Sequence, residues 1–288
     1  MTISQLLKPH LRDLGGGMQV RRLLPAMGRQ GVGPFVFFDH FGPIEVRPED
    51  NHDVRPHPHI GLATVTYLFE GAIVHRDSLG FEQRIEPGAI NWMTAGRGIV
   101  HSERRPEDLR TRTYTNHGLQ LWAALPLASE EAEPAFVHTP ADRIPSLEAG
   151  KASVRVLIGS AFGETSPVAT FQPTLYLDVN AKAGAQVLLE ESDFERALYC
   201  VEGRLLVDGQ LVEPHAMAVL ERGPQVRIDA PEGARCVVIG GEPLDGHRHM
   251  WWNLVSSRKE RIEEAKRDWA AQRMGSIPGE TEFIPLPA

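Results

Sequence analysis

Apolar and polar residues alternate in short runs over most of this chain, and glycine or proline cuts each run off. A-T-V-T-Y-L-F from Ala63 to Phe69 is the clearest, with the β-branched and aromatic alternation of a half-buried strand. A turn at Glu70-Gly71 follows, then A-I-V-H-R-D, a second turn from Ser78 to Gly80, and the segments I-E-P-G-A-I-N-W-M and G-L-Q-L-W-A-A-L-P. A second cluster between Ala152 and Gly241 contains R-V-L-I-G, T-L-Y-L-D-V, A-L-Y-C-V and R-C-V-V-I-G. Many short strands at near-regular spacing, with few helix signals, predict an all-β chain built as sandwiches or barrels. Residues 128–150 are charged and proline-interrupted without a sustained period, which reads as a connector. Near the C-terminus the period changes. Ser257-Arg-Lys-Glu260 has capping-box form, and Ile262, Ala265 and Trp269 follow at helical spacing as a buried stripe that Gly275 can end.

The two strand clusters share a pattern. Y-L-F-E-G followed by R-I-E-P-G resembles L-Y-C-V-E-G followed by Q-L-V-E-P-H. Setting Glu70 against Glu202 places His57 and His59 opposite Leu189 and Glu191. Setting Pro87 against Pro214 places His101 and Glu103 opposite Ile228 and Ala230. If the halves are a duplication, the second has none of the three histidines.

Those histidines carry the candidate chemistry. R-P-H-P-H places His57 and His59 two apart, and A-G-R-G-I-V-H-S-E-R places His101 and Glu103 two apart. Strand residues two apart leave the same face, with Cα atoms roughly 7 Å apart, so each pair can aim two ligands at one point. Adjacent strands would make a three-histidine, one-carboxylate pocket. Such a donor set suits one divalent first-row metal, Fe(II), Mn, Ni, Cu or Zn, and offers no thiolate. Pro58 cannot donate to a sheet ladder, which puts its strand at an edge or an irregular start. His247 and His249 form a second H-x-H without a matching pair and read as a solvated turn. His75 reads either as pocket lining or as a hydrogen-bonded strand residue, and Trp92, Met93 and Phe38 read as core.

Composition narrows the rest. At 288 residues the chain has room for two domains, and its formal net charge of −8 argues against a nucleic-acid surface as its main business. The two cysteines, Cys200 and Cys236, lie in apolar runs and encode neither a disulfide framework nor a cysteine zinc site. No signal-peptide run or membrane-length apolar stretch is read, so the expected location is cytoplasmic. No acyl-transfer or nucleotide-binding motif is present either.

R-P-H-P-H, T-V-T-Y-L-F-E-G, H-R-D-S-L-G, A-G-R-G-I-V-H-S-E and W-W-N-L-V-S-S-R-K-E-R-I are spread over nearly the whole chain, and together they resemble the pirin family of the cupin superfamily. The resemblance implies two jelly-roll β-barrels in tandem, a bicupin, with a C-terminal α-helix. The expected division is a metal-binding barrel over 1–127, a connector over 128–150, a metal-free barrel over 151–245, and a helix and tail over 246–288. It also implies a single iron on His57, His59, His101 and Glu103. Some bacterial members oxidise flavonols such as quercetin with dioxygen, and others are iron-dependent regulators that bind a protein partner. Glu103, if it can leave the metal, is the candidate catalytic base for a phenolic substrate. A third reading is a metal-dependent isomerase or hydrolase. No membrane partner is implied, and a monomer is expected because two barrels in one chain mimic a cupin dimer. One departure stands out: the family often carries Glu four residues after the second histidine, where this chain has Ala63.

Overall fold

Alternating strands need partners on both edges, and the chain supplies them in two sets with the same plan. The computed structural model describes residues 2–15 and 17–287. In the first set, a seven-stranded sheet runs Ala135–Thr139, Ile90–Thr94, Leu62–Glu70, Tyr114–Ala124, Phe35–Val46, Gln19–Leu24, His10–Asp13. A four-stranded sheet runs Val54–His59, Ile99–Arg104, Ile73–Asp77, Glu82–Ile85. The second set has a seven-stranded sheet in the order Ile3–Leu7, Met217–Leu220, Glu195–Gly203, Ala234–Gly241, Thr174–Ala181, Ala152–Ile158, Ser146–Ala149. Its four-stranded sheet is Ala185–Leu189, Val226–Ala230, Leu205–Val207, Gln210–Val212. The two orders match strand for strand, as expected of two cupin barrels, and the only α-helix among the described residues is Lys259–Ala270. No helix among them is long and apolar enough to cross a membrane.

Register refines the repeat. His59 faces Ile99 and His57 faces His101, while Leu189 faces Val226 and Val187 faces Ile228. The structural counterparts of His57 and His59 are therefore Val187 and Leu189, two residues earlier than the Glu70–Glu202 alignment places them. The reason is loop length. Five residues, 190–194, precede Glu195 where two, 60–61, precede Leu62, and Glu202 lies seven residues beyond Glu195 where Glu70 lies eight beyond Leu62, a net offset of two.

The compact units are not contiguous in sequence. One gathers the residues up to Leu11, Arg21–Phe38 and Asp142–Pro243; the other gathers Arg12–Val20, Asp39–Ala141 and the residues from Leu244 onward. The strand Ile3–Leu7 pairs with Met217–Leu220, in the place that Ala135–Thr139 takes beside Ile90–Thr94. Residues 128–150 are more than a connector, since they supply Ala135–Thr139 to one sheet and Ser146–Ala149 to the other. The strand Leu62–Glu70 is buried on both faces except at Glu70, where alternation alone predicts a half-exposed strand.

The C-terminal helix buries Ile262, Ala265 and Trp269 as its spacing predicts. Its N-cap, however, is Arg258 without a side-chain cap, because the Ser257 hydroxyl and amide both donate to Glu130. It also ends at Ala270, before Gly275, with Gln272 in the left-handed region. Ile262 and Ala265 cluster with Ile60 and Leu254, and Trp269 packs with Val100 and Ile277. Gly61 lets this segment approach. Its φ is +68°, and a Cβ there would collide with the Val255 carbonyl.

Candidate metal centre

Val54–His59 is the edge strand of its sheet, as Pro58 requires, and Ile99–Arg104 lies beside it. Their antiparallel register sets His101 directly opposite His57, with His59 two residues along on the same face. The ring centroids form a triangle of 4.3, 5.0 and 5.1 Å. One nitrogen from each of the three rings lies within 4.8 Å of the other two, a set that could hold a metal ion. Burial drives all three imidazoles toward the neutral form: His57 falls to about 4, and His59 and His101 fall well below their ordinary value.

Hydrogen bonds decide which nitrogen each ring presents. His57 Nδ1 lies 2.9 Å from the Arg55 carbonyl and His59 Nδ1 lies 3.0 Å from the Asn253 carbonyl. A carbonyl only accepts, so both Nδ1 atoms carry the proton and both Nε2 lone pairs are bare. His101 reaches the same state through two further residues. Asp77, fully buried, accepts from His75 Nε2 at 2.9 Å, which leaves His75 Nδ1 to accept from His101 Nδ1 at 3.4 Å. His101 Nε2 is then a buried lone pair, and it has no hydrogen-bond partner. Three neutral imidazoles with converging bare nitrogens, each fixed from behind by an acceptor, form the arrangement that a divalent cation needs.

Glu103 is placed differently. Against Val54–His59 the register shifts between His101 and Glu103, because the edge strand carries one extra residue there; against Ile73–Asp77 the ladder stays regular, with His101 facing Asp77 and Glu103 facing His75. Glu103 lies outside the group of mutually close ligand atoms. Desolvation raises its carboxyl to about 7. His247 and His249 face each other at 4.7 Å and join no such group. Trp92 donates to Thr94, Phe38 packs on Tyr199, and Met93 is buried, so all three serve the core. Cys200 and Cys236 face each other across two strands as buried free thiols, Cys200 pushed up to about 12 by burial.

Two contributors escaped the sequence. Asn253 acts through a backbone carbonyl, which no residue type announces. Asp77 did leave a signal, because His75-Arg-Asp77 repeats the two-apart spacing of the histidine pair. The tail braces the same strands from outside. Glu280 accepts from Ser102 at 2.7 Å and pairs with Arg104, and the Ile284 amide donates to the Pro56 carbonyl of the edge strand.

Residues 17–123 match the family model for pirin, and residues 176–275 match the model for the pirin C-terminal cupin domain. A pirin-like protein of Caulobacter vibrioides is 46% identical over 96% of each chain, and human pirin is 33% identical over 91% of this chain and 89% of its own. A crystal structure of quercetin 2,3-dioxygenase from Acinetobacter baumannii superposes with a TM-score of 0.92 at 33% identity, covering 99% of this chain and 95% of that one. With both of its barrels matched and relatives aligned almost end to end, this chain belongs to the pirin family.

Proposed function

We propose that this chain holds one divalent metal ion, Fe(II), on His57, His59 and His101 with Glu103 as the carboxylate of the site, and that it oxidises a flavonol-like phenol with dioxygen. The observation that carries the metal reading is His101 Nε2, a buried lone pair without a partner, aimed among two other bare imidazole nitrogens. The solved quercetin 2,3-dioxygenase to which the chain is similar supports the substrate class.

Such an ion, when bound, supplies Lewis acidity toward a phenolic oxygen and redox chemistry toward dioxygen. The protein's own part is positional and protonic. The Arg55 and Asn253 carbonyls and the Asp77–His75 pair hold three imidazoles in one tautomer without needing rearrangement on binding. Trp122 sets its ring edge against His59 at 5.1 Å, and Phe136 stacks on His75 at 4.1 Å, so aromatic faces restrict both rings. Glu103, whose carboxyl burial raises to about 7 in the metal-free chain, is the acid of the site whose carboxylate oxygen can take the proton of a substrate hydroxyl.

Ala63 favours a second reading. It is fully buried where the family often has Glu, so this site has one acid fewer. In that reading the metal-bearing barrel is a redox-sensitive module that binds a protein partner without turnover. Metal analysis of anaerobically purified protein, followed by oxygen uptake with quercetin, separates the two. One iron per chain with uptake lost in His101→Ala supports the oxygenase; one iron without uptake over a panel of phenols shifts the assignment to the binding module. No stoichiometric metal under any loading condition overturns both.

A further inference from the structure

The mouth of the second barrel contains a buried cation that no carboxylate among the described residues neutralises. Along Glu195–Gly203, Leu198 and Cys200 point into the barrel's apolar core, and the period of two puts Arg196 on that same inner face at the strand's outer end. Arg196 is 2% exposed. Its Nη1 donates to the Glu190 carbonyl at 2.6 Å and its Nη2 to the Pro224 carbonyl at 3.0 Å, while Nε meets no acceptor. Both acceptors are neutral, and no carboxylate among the described residues pairs with it. Burying a guanidinium without a counter-anion is costly, and the cost disappears when an anion is supplied.

Beside Arg196 lies a cavity of about 110 Å³ whose apolar wall is Leu175, Leu177 and Leu189. Leu189 stands where His59 stands in the first barrel, since it faces Val226 as His59 faces Ile99. The same mouth therefore exists in both barrels, with histidines in one and a buried arginine in the other. Two aromatic side chains, Phe162 and Phe194, complete the lining and pack against the core. Phe162 is held at a backbone cost. The hairpin Ser160–Ala161 to Glu164–Thr165 turns through Phe162 and Gly163, with φ of +54° and +77°. A turn of that form favours Asn-Gly, and a bulky residue in the left-handed region is strained. Strain kept at a cavity mouth points to a task for the ring it positions.

We propose that this mouth binds a small monocarboxylate with a flat apolar body, of the benzoate class, its carboxylate on the unpartnered Nε–H of Arg196 and its ring between Phe162 and Phe194. The enclosed part is smaller than the roughly 150 Å³ that holds benzene in an apolar cavity, so it takes part of one ring and the open mouth takes the rest. Glu190 and Glu191 stand exposed on the rim and repel a second negative charge, which selects monoanions over dicarboxylates.

The test is a titration of the full chain with 4-fluorobenzoate, followed by ¹⁹F NMR and calorimetry, with 4-fluorobenzamide as the neutral isostere. Saturable one-to-one binding is expected, with the amide weaker by about 10- to 100-fold, the loss of a charge-assisted hydrogen bond. Arg196→Met removes the cation, but it also unclips two loops. Phe162→Asn relaxes the turn, so it keeps or raises the thermal midpoint while weakening benzoate, which a merely structural ring would not do. Equal affinity for acid and amide, no saturation at millimolar ligand, or undiminished binding in Phe162→Asn overturns the proposal. So does binding that is lost in His101→Ala, which places the acid in the first barrel.

Discussion

Asp77→Asn, a change of one atom, should move a proton two residues away onto the nitrogen that faces the metal position. Asp77 Oδ1 accepts from the Leu79 and Phe81 amides at 2.9 and 3.1 Å, and Oδ2 accepts from His75 Nε2 at 2.9 Å. In asparagine only Oδ1 can meet the two amides, so the side-chain NH₂ must face His75. His75 Nε2 then has to accept, its proton shifts to Nδ1, and His101 Nδ1 becomes the acceptor of that contact. The His101 proton is left on Nε2, inside the triad. Losing such an outer partner weakens metal affinity by about 10- to 100-fold, or ~1.4–2.7 kcal/mol. Chelator competition for Ni(II) or Co(II) measures the affinity, and ¹⁵N spectra of the imidazoles in metal-free protein show which nitrogen carries the proton. An unchanged affinity with His101 still protonated at Nδ1 would refute the chain of reasoning from Asp77 to the site.

Glu103 and His57 give the metal-free chain opposite pH responses. The Glu103 carboxyl rises from 4.5 to about 7, so the folded state holds the extra proton and stability falls as pH rises through that window; Glu103→Gln should recover up to ~3 kcal/mol at pH 8 and little at pH 4, read by urea unfolding. His57 falls from 6.5 to about 4, so its contribution is present above 6.5 and is lost as pH drops through 4, which should appear as acid lability that His57→Phe reduces. Arg248→Met should cost ~3–5 kcal/mol in the same assay, because the wholly buried guanidinium pairs with Glu130 at 2.8 Å and with Asp245, and its loss strands the buried Glu130 charge. Gly61→Ala forces a Cβ into the Val255 carbonyl at a left-handed position and should cost more than ~2 kcal/mol, seen as a lowered thermal midpoint.

The three histidines were legible because a strand's period of two is rigid: H-x-H and H-x-E can only share a face. Glu103 lies two residues beyond His101 but outside the close group of ligand atoms, and the spacing did not show that the edge strand carries an extra residue opposite it. Nothing in the residue types announces it either. The repeat was visible in E-G and E-P pairs, but its register was off by two, because the loop before Glu195 is three residues longer than the one before Leu62 while Glu202 lies one residue nearer its strand start than Glu70 does. The longer loop forms the lip of the second barrel's cavity. The helix stripe was readable from spacing, whereas its cap was not, because Glu130 captures Ser257 from a distant part of the chain. Tertiary partners override local signals at these places.

Each compact unit borrows a piece from the opposite end of the chain, and this has a consequence for biosynthesis. The unit with the histidines takes its helix and the Asn253 carbonyl from residues after Leu244, and the other takes the strand Ile3–Leu7, which precedes the histidine-bearing strands in the chain. On a ribosome that adds roughly 5–20 residues each second, the histidine-bearing barrel waits several seconds with its edge strand uncovered until the tail emerges. Cutting the gene at the connector would yield two halves, each lacking a part that the other carries.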